Sequence, residues 1–468
     1  MRMLIFLSEG GLMLKRLFST SGIRGIYPSD ISPVTGFKLG CLLPSVFGSE
    51  CVTAIDGRTS SPVLEHALLS GLLSCGCNVK RLGLAPLPTL AYSVKATGSK
   101  FGVMITASHN PPNYNGFKIY REGGWELMPD EEELIEKKLL MNEYSMGSWC
   151  DVGLCIDYSE LLSRYIDDVV AFTMDGEAKS TLSFKVIVDC CNGPASLVTP
   201  KVLSLLGAEV VALNANIDGF FPGREPEPRP DVLVELSSYV RNIGAKVGLA
   251  HDGDADRVAV IDADGSFVYN DRIIAYMAKR AISRGEGRTI VTTIDTSMCV
   301  DEVVEKLGGE VIRTKLGKTH VELYKRSNVA IAAEPWKIIN PRWGPWADGI
   351  LTAAILIHDI SKSKSTINDL LSDIPAYPQI RESYPCPEEK KSKVMMIIEE
   401  ELEGVVGDVR EAWRYDGVRV NRNSGAWILI RASGTEPKIR LYVEARDHVE
   451  LKELAERGRR LILKALKA

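Results

Sequence analysis

The sequence predicts a multidomain α/β protein with three similar units in tandem and a different fourth domain. At 468 residues the chain is too long for one hydrophobic core, and domains of roughly 100–200 residues give an expectation of three or four. A plan of hydrophobic strand, amphipathic helix, glycine and second strand occurs three times. Ligands of such sheets bind beyond the carboxyl ends of strands, so the loops there are the expected site.

Each copy of the plan opens with a strand that ends in aspartate. The opening strands are 52–56, 186–189 and 289–295, and the glycines that close the helices are Gly76, Gly207 and Gly308. A proline-rich stretch around 375–387 separates the last domain, which does not copy the plan. That domain is predicted to hold a helix at 388–403, strands at 417–421 and 426–431, and a final helix from about 447. The predicted domains are 14–155, 156–257, 258–370 and 371–468.

Composition narrows the class of protein. With 45% hydrophobic and 25% charged residues, the chain has the composition of an ordinary globular protein. Its net charge of −5 and pI near 5.9 show none of the excess of basic residues that is typical of nucleic-acid-binding proteins. No stretch has the roughly 18 apolar residues of a membrane span. Ten scattered cysteines without a CxxC pair predict reduced thiols and a cytoplasmic protein. Residues 1–12 are expected to be an upstream extension.

Residues 101–118 place a serine where a short buried strand meets a stiff turn. The apolar run 101–105 predicts the strand, and the prolines and asparagines of 110–115 exclude a helix after Ser108. His109 lies beside this serine, and Lys118 follows later in the same stretch, which suits chemistry at the hydroxyl. An ordinary strand-to-turn junction with polar capping is the alternative.

Three aspartates, Asp252, Asp254 and Asp256, lie between the apolar runs 247–250 and 258–261. Carboxylates at alternate positions of an extended loop project to one side and would repel one another without a cation. We therefore predict a divalent metal site. An EF-hand does not fit, because its glycine and closing glutamate are missing. A solvated acidic turn is the alternative.

Two other loops combine an arginine with small and hydroxyl-bearing residues, a composition that favours anion binding. Residues 18–25 surround Arg24 with serine, threonine and glycine. Near the carboxyl terminus the corresponding residues are Arg431, Ser433, Gly434 and Thr435. A simple surface turn is the alternative for each loop.

Together the loops favour phosphoryl transfer through a phosphoserine over acyl transfer. The chain has no Gly-x-Ser-x-Gly elbow, and a Ser-His-Asp hydrolase has no use for a metal loop. A phosphoserine at about −2 with three carboxylates carries roughly −5 against +2 from a divalent ion, so neighbouring cations are required. Arg257, Lys118 and Arg24 are the candidates.

Three motifs resemble the signature loops of the α-D-phosphohexomutase superfamily, which includes phosphomannomutase/phosphoglucomutase and phosphoglucosamine mutase. They are Thr-Ala-Ser-His-Asn-Pro at 106–111, Asp-Gly-Asp-Ala-Asp-Arg at 252–257 and Arg-Ala-Ser-Gly-Thr-Glu-Pro at 431–437. The likeness extends over residues 14–468. It implies an α/β fold of four domains around a central cleft, with three related mixed-sheet α/β domains and a distinct α+β C-terminal domain.

The resemblance also implies a role for each motif residue. Ser108 would carry the phosphoryl group and would hold Mg²⁺ through that phosphate, together with Asp252, Asp254 and Asp256. The catalytic set would further contain His109, Lys118, Arg24 and Arg257. The phosphate that does not react would bind to Arg431, Ser433, Gly434 and Thr435. A hexose 1,6-bisphosphate is the implied intermediate and activator.

The sugar-binding loop departs from the family pattern. The family commonly has Gly-Glu-x-Ser-Gly-His, whereas this chain has Ala-Glu-Pro-Trp-Lys-Ile at 333–338. Glu334 remains as an acceptor for sugar hydroxyls, and Lys337 is a further predicted substrate-binding residue. Without the loop histidine, the acid–base role falls to His109, Lys118 or Lys337. The nearby Trp336, Trp343 and Trp346 would either stack on a sugar or pack in the core.

We therefore predict a Mg²⁺-dependent phosphohexose mutase that interconverts the 1- and 6-phosphates of a hexose or hexosamine. Glucosamine, mannose and glucose are the candidate sugars. The alternatives are a sugar-phosphate phosphatase that uses the same phosphoserine and a non-catalytic sugar-phosphate sensor. The expected partner is a small-molecule sugar phosphate, with neither nucleic acid nor membrane, and the expected state is a monomer or homodimer.

Overall fold

The structure is a computed structural model that describes residues 7–8, 11–12, 17–18, 22–177, 184–434 and 436–468. Within these residues the chain forms successive sheets of seven, five, four and five strands. A small hairpin, Leu7–Ser8 with Gly11–Leu12, precedes them. Four sheets agree with the predicted four-domain α/β architecture.

The first sheet has three parallel central strands, Glu50–Ile55, Asn78–Leu84 and Phe101–Ile105. Helices Ser61–Ser74 and Leu87–Thr97 connect them, because parallel neighbours require a crossover. The repeat predicted this arrangement. The other elements are strands Ile23–Ile26, Tyr114–Arg121, Trp125–Glu126 and Cys155–Asp157, helices Pro33–Phe47 and Pro129–Met141, and the 3₁₀ turn Glu122–Gly124.

The second sheet begins with parallel strands, as the first does, and ends with antiparallel strands. Strand Val258–Asp262 pairs antiparallel with Val247–His251, and Phe267–Val268 adds to it. The predicted boundary between residues 257 and 258 would cut this hairpin, so the second domain extends to Val268. The other elements are strands Lys185–Asp189 and Glu209–Leu213, helices Leu161–Met174, Thr199–Leu205 and Val234–Ile243, and the 3₁₀ turns Pro194–Leu197 and Pro230–Val232.

The third sheet again has parallel strands followed by an antiparallel hairpin. Thr289–Thr293 pairs in parallel with Glu310–Thr314 and Val329–Glu334, and Lys337–Ile339 folds back on the last of these. Its helices are Asn270–Ser283, Met298–Lys306, Thr319–Tyr324, Gly349–Ser363 and Ile367–Leu370.

The fourth sheet is wholly antiparallel, which makes this domain different from the other three. Its strands are Gln379–Pro385, Val409–Trp413, Val418–Arg422, Trp427–Ala432 and Lys438–Glu444. Helices Lys391–Val406 and His448–Lys467 pack on it, and Glu388–Lys390 is a 3₁₀ turn. Two strands and both helices lie where the sequence predicted them. The remaining three strands were missed.

One apolar core extends through the first three domains, from Val52 to Ile374, while the fourth domain has its own core. All ten cysteines are described and all have free thiols, of which seven are buried. Burial raises the pKa of the Cys191 thiol to about 12, which makes this thiol unreactive. Among the described residues, no helix has both the length and the apolar character needed to cross a membrane.

Candidate active site

Ser108 lies in the loop after strand Phe101–Ile105, with its side chain fully buried. Its φ of +51° is a left-handed conformation that costs a non-glycine residue roughly 1–2 kcal/mol. Thr106 stabilises this turn, because its hydroxyl accepts a hydrogen bond from Ser108 N at 2.8 Å and donates to Asp254 Oδ2 at 3.1 Å. The serine is therefore held rigidly rather than displayed on a surface turn.

Arg58, which the sequence analysis missed, holds the serine loop together. It is 1% exposed, and its Nε lies 3.0 Å from Asp56 Oδ2. Its terminal nitrogens donate to four backbone carbonyls of the loop, those of Ser108 (2.9 Å), Asn110 (2.6 Å), Pro111 (2.5 Å) and Tyr114 (2.9 Å). The signal in the sequence was the aspartate that ends the opening strand, followed two residues later by this arginine.

Substituting Arg58→Lys is expected to lower the free energy of unfolding by about 3 kcal/mol or more. A lysine lacks the planar fork that serves several carbonyls at once, so buried acceptors would lose their donors. Urea unfolding measures the change. The control is Arg410→Lys, whose ion pair with Glu411 is exposed and is expected to contribute less than about 1 kcal/mol. Equal losses in the two variants would contradict the prediction.

The three predicted metal ligands, Asp252, Asp254 and Asp256, lie in the hairpin loop of the second sheet. All are buried, and one ligand oxygen from each lies within 4.8 Å of the others. Ser108 Oγ donates to Asp252 Oδ2 at 2.8 Å across 144 residues of sequence. Gly253 permits this approach, because a Cβ there would lie 2.5 Å from the Ser108 carbonyl oxygen. Two loops from different domains thus form one site.

Two buried lysines partly neutralise the triad. Lys118 Nζ lies 2.9 Å from Asp254 Oδ2 and from Asp256 Oδ2, and Lys337 Nζ lies 2.8 Å from Asp256 Oδ2. Burial opposes ionisation of Asp256, but these lysines outweigh it and hold the pKa of that carboxyl well below its usual value. At Asp252, burial and repulsion from the other two carboxylates raise the pKa.

The triad fits a divalent metal ion. Asp254 Oδ1 and Asp256 Oδ1 are buried and have no hydrogen-bond partner. Leaving a carboxylate oxygen in that state is costly, whereas hard divalent cations take such oxygens as ligands. The other oxygen of each of these two carboxylates is bound by Lys118, which fixes both groups in place.

Arg24 and Arg257 border the same site. Arg24 Nη1 donates to Asn110 Oδ1 at 3.3 Å, while its Nε is buried without a partner. Arg257 Nη1 donates to Glu227 Oε1 at 3.0 Å, and its Nε lies 3.8 Å from Asp252 Oδ2. Both guanidinium groups therefore keep a donor that a bound anion could use.

His109 is next to the serine in space as well as in sequence. Its Nδ1 lies 3.4 Å from Ser108 Oγ. Burial, reinforced by the positive charges of Arg257, Arg24 and Lys337, lowers the pKa of His109 well below its ordinary value. The ring is therefore neutral near pH 7.

A second histidine, His251, comes directly before the aspartate loop 252–257 and is hydrogen-bonded to its last residue. It is fully buried, with Nδ1 2.8 Å from the Arg257 carbonyl oxygen and Nε2 3.1 Å from Thr199 Oγ1. Burial lowers the pKa of His251 from 6.5 to about 4. Below pH 6.5 the unfolded chain therefore binds a proton that the folded protein excludes, and stability falls as the pH decreases towards 4.

His251 is expected to lower the free energy of unfolding by about 1.4 kcal/mol for each pH unit between 6.5 and 4. Over this whole pH range the loss is about 3 kcal/mol. Urea unfolding at several pH values between 7 and 4 measures it. His251→Gln is expected to flatten the slope by that amount relative to the wild type. An unaltered slope in His251→Gln would refute the assignment.

The predicted sugar-binding loop is a hairpin in which Glu334 lies opposite Lys337. Its turn contains Pro335 and Trp336, the latter with a φ of +66°. Glu334 Oε2 accepts a hydrogen bond from Gly317 N at 3.0 Å, and burial raises the pKa of this carboxyl. Because Lys337 also forms an ion pair with Asp256, the hairpin connects the third domain to the carboxylate triad.

Trp343 and Trp346 pack in the core, so the sugar-stacking alternative is wrong for both. They are 8% and 0% exposed, and their indole N–H groups donate to Asp348 Oδ2 at 2.9 and 3.3 Å. Among the three tryptophans considered, Trp336 alone borders the site, with the Arg257 guanidinium 6.0 Å from its ring centroid.

The predicted phosphate-binding loop follows strand Trp427–Ala432. Arg431 Nε and Nη2 lie 3.3 and 3.2 Å from Asp416 Oδ1. Ser433 is buried, and its carbonyl accepts a hydrogen bond from Lys391 Nζ at 2.6 Å. The remaining two predicted residues are Gly434, which is exposed, and Thr435, which lies outside the described residues.

Four domain families match successive parts of this chain. They are described as phosphoglucomutase/phosphomannomutase α/β/α domain I (residues 15–145), domain II (163–265), domain III (269–377) and C-terminal domain (385–461). The chain belongs to the phosphoglucomutase/phosphomannomutase family. It is an enzyme of the phosphohexomutase type, as its motifs implied.

Known members of the family are similar along nearly the whole chain. The phosphopentomutase of Thermococcus kodakarensis is 38% identical over 442 residues, which are 94% of this chain and 96% of the relative. The probable phosphoglucosamine mutase of Methanothermobacter thermautotrophicus is 38% identical over 450 residues, which are 95% and 97%. A phosphoglucomutase/phosphomannomutase family protein from Burkholderia thailandensis, solved by crystallography, matches with a TM-score of 0.84, 26% identity and coverage of 96% and 97%.

Proposed function

We propose that Ser108 carries a phosphoryl group and exchanges it with a sugar monophosphate, so that the 1- and 6-phosphates of a hexose or hexosamine are interconverted. The observation that supports this most is the 2.8 Å hydrogen bond from Ser108 Oγ to Asp252 within a buried carboxylate triad. A rigid hydroxyl surrounded by metal-type oxygens and several cations suits phosphoryl transfer. A hexose 1,6-bisphosphate is the intermediate, and a trace of it is the activator.

Asp252, Asp254, Asp256 and the phosphate on Ser108 would hold Mg²⁺, which when bound withdraws charge from the phosphoryl oxygens. The chain itself supplies Lys118 and Lys337 on the carboxylates and Arg24 and Arg257 beside the serine. Phosphoserine and the triad together carry roughly −5, and the metal with the four side chains roughly +6. Glu227, paired with Arg257, brings the loaded site close to neutral.

His109 is the proposed acceptor for the proton of Ser108 Oγ, in the step in which this hydroxyl attacks the sugar bisphosphate and takes a phosphoryl group back from it. Its neutral ring is 3.4 Å from Ser108 Oγ, which is the atom that gains and loses the phosphoryl group. Lys337 is less suited to this role. Burial disfavours its charge, but Asp256 outweighs burial and raises the pKa of Lys337, so the side chain remains an ammonium ion.

Substrate binding is assigned to the Glu334–Lys337 hairpin and to the loop at 431–435. Glu334 accepts hydrogen bonds from sugar hydroxyls, while the non-reacting phosphate binds to Arg431, Ser433, Gly434 and Thr435. The sugar is glucosamine, mannose or glucose on this proposal. A pentose phosphate is a second candidate, favoured by the 38% identity to the Thermococcus phosphopentomutase.

Phosphorus NMR with a panel of hexose, hexosamine and pentose 1-phosphates, Mg²⁺ and a trace of the matching bisphosphate tests this proposal. Formation of the 6-phosphate from a hexose or hexosamine supports it, and preferential formation of a pentose 5-phosphate would replace it with the second candidate. Release of inorganic phosphate without an isomer would identify a phosphatase. No turnover of any sugar, with sugar binding retained, would identify a sensor.

A further inference from the structure

We infer that Asp416 is a positioning residue that fixes the spacing between the phosphate-binding arginine and the sugar-binding loop. Asp416 lies in the turn between strands Val409–Trp413 and Val418–Arg422 of the fourth domain. Neither the sequence motifs nor the proposed mechanism assigned it a role. The inference rests on the roles proposed above for Arg431 and Glu334.

The first observation is that Asp416 holds Arg431 along one edge of the guanidinium. Oδ1 accepts from Nε at 3.3 Å and from Nη2 at 3.2 Å. A guanidinium has five N–H donors, so Asp416 uses two and leaves three for a phosphate. The pair is largely shielded from solvent, with side-chain exposures of 11% for Arg431 and 18% for Asp416.

The second observation is that the same carboxylate reaches the third domain. Its Oδ2 accepts a hydrogen bond from Leu316 N at 3.0 Å, and the next amide, Gly317 N, donates to Glu334 at 3.0 Å. Adjacent amides of one loop are therefore bound to the carboxylate that orients the phosphate-binding arginine and to the carboxylate assigned to sugar hydroxyls. The contacts form a continuous connection from Arg431 to Glu334.

The turn that carries Asp416 lies very close to Arg431 and its strand. Gly417 has a φ of +81°, and a Cβ there would lie 2.4 Å from the Ile430 carbonyl oxygen and 2.5 Å from Arg431 Cβ. The backbone of the turn is thus packed directly on the arginine. With Leu316 N on its other side, Asp416 sets the position of Arg431 relative to Glu334, and with it the distance between the bound phosphate and the sugar.

Steady-state kinetics of Asp416→Asn test this inference. The non-reacting phosphate is bound equally strongly in the enzyme–substrate complex and in the transition state. Weaker binding of this phosphate therefore raises KM and leaves kcat nearly unchanged. We expect KM for the sugar monophosphate to rise roughly 10- to 100-fold, with kcat within about 3-fold of wild type. The matched control is Glu450→Gln, which removes an ion pair with Arg422 in the same domain and is expected to leave KM unchanged.

A double-mutant cycle with Arg431→Met separates this inference from the proposed function. If Asp416 acts through Arg431, the second substitution adds little to the first, whereas additive effects would overturn the inference. An increase of KM in Arg431→Met but not in Asp416→Asn would also overturn it while leaving the proposed function intact. An unchanged KM in Arg431→Met would instead reject the phosphate-binding role of the arginine.

Hydrogen exchange provides a readout that does not depend on activity. In Asp416→Ala without substrate, the Leu316 amide loses its acceptor, so peptides that cover residues 315–318 are expected to exchange faster than in the wild type or in Glu450→Gln. Unchanged exchange in these peptides would mean that Asp416 does not restrain the loop, and the inference would fail.

Discussion

Ser108→Ala is expected to lower turnover by at least about 10⁴-fold while the protein still folds. The substitution removes the only oxygen of this residue's side chain, which the proposed reaction phosphorylates in every cycle. The folded state loses the hydrogen bond to Asp252, which contributes about 1–3 kcal/mol, and the longer one to His109. Coupled turnover assays measure the first effect and thermal unfolding the second.

Ser45→Ala is the matched control, because this serine lies on helix Pro33–Phe47 and donates to the Leu42 carbonyl oxygen. It is expected to retain wild-type turnover. Intact-mass measurement after incubation with the sugar bisphosphate adds a direct test, since the wild type and Ser45→Ala are expected to gain one phosphoryl group and Ser108→Ala none. Substantial mutase activity in Ser108→Ala would reject the proposed phosphoserine.

Asp254→Asn is expected to weaken divalent metal binding by roughly 100-fold or more. It removes one of three charges and replaces the buried, unpartnered oxygen Oδ1 by a neutral ligand. Calorimetric titration with Mn²⁺ or Mg²⁺ measures the affinity. Turnover is expected to fall in parallel and to stop in the wild type when the metal is chelated.

Stability provides a second measure of the same site. A metal ion at 100 times its dissociation constant stabilises the folded protein by about 2.7 kcal/mol, so Mg²⁺ is expected to raise the melting temperature of the wild type but not of Asp254→Asn. Asp264→Asn is the control, because Asp264 is exposed at the opposite end of the same hairpin. An equal Mg²⁺ response in Asp254→Asn and the wild type would exclude the triad as the metal site.

Much of the fold could be predicted because its signals are local. Apolar strands, glycines at helix ends and aspartates at strand ends predicted three strand–helix–strand units. The structure contains all three units. Strands Gln379–Pro385 and Val409–Trp413 were missed because they are edge strands rich in polar residues. Lys438–Glu444 was missed although its buried Ile439, Leu441 and Val443 alternate regularly with polar residues, which was a usable signal.

By itself the sequence determined the candidate residues for phosphoryl transfer, because a serine in a stiff turn, alternate aspartates and an arginine-hydroxyl loop can each be recognised over a few positions. Only the tertiary structure decided how they are used. It brought Ser108 to Asp252 across 144 residues, gave Arg58 and Asp416 their hydrogen bonds, placed Lys337 on Asp256, and buried Trp343 and Trp346 in the core. Such contacts depend on how separate domains pack against each other. This packing is determined by side chains far apart in the sequence, so a pattern of a few neighbouring residues does not predict it.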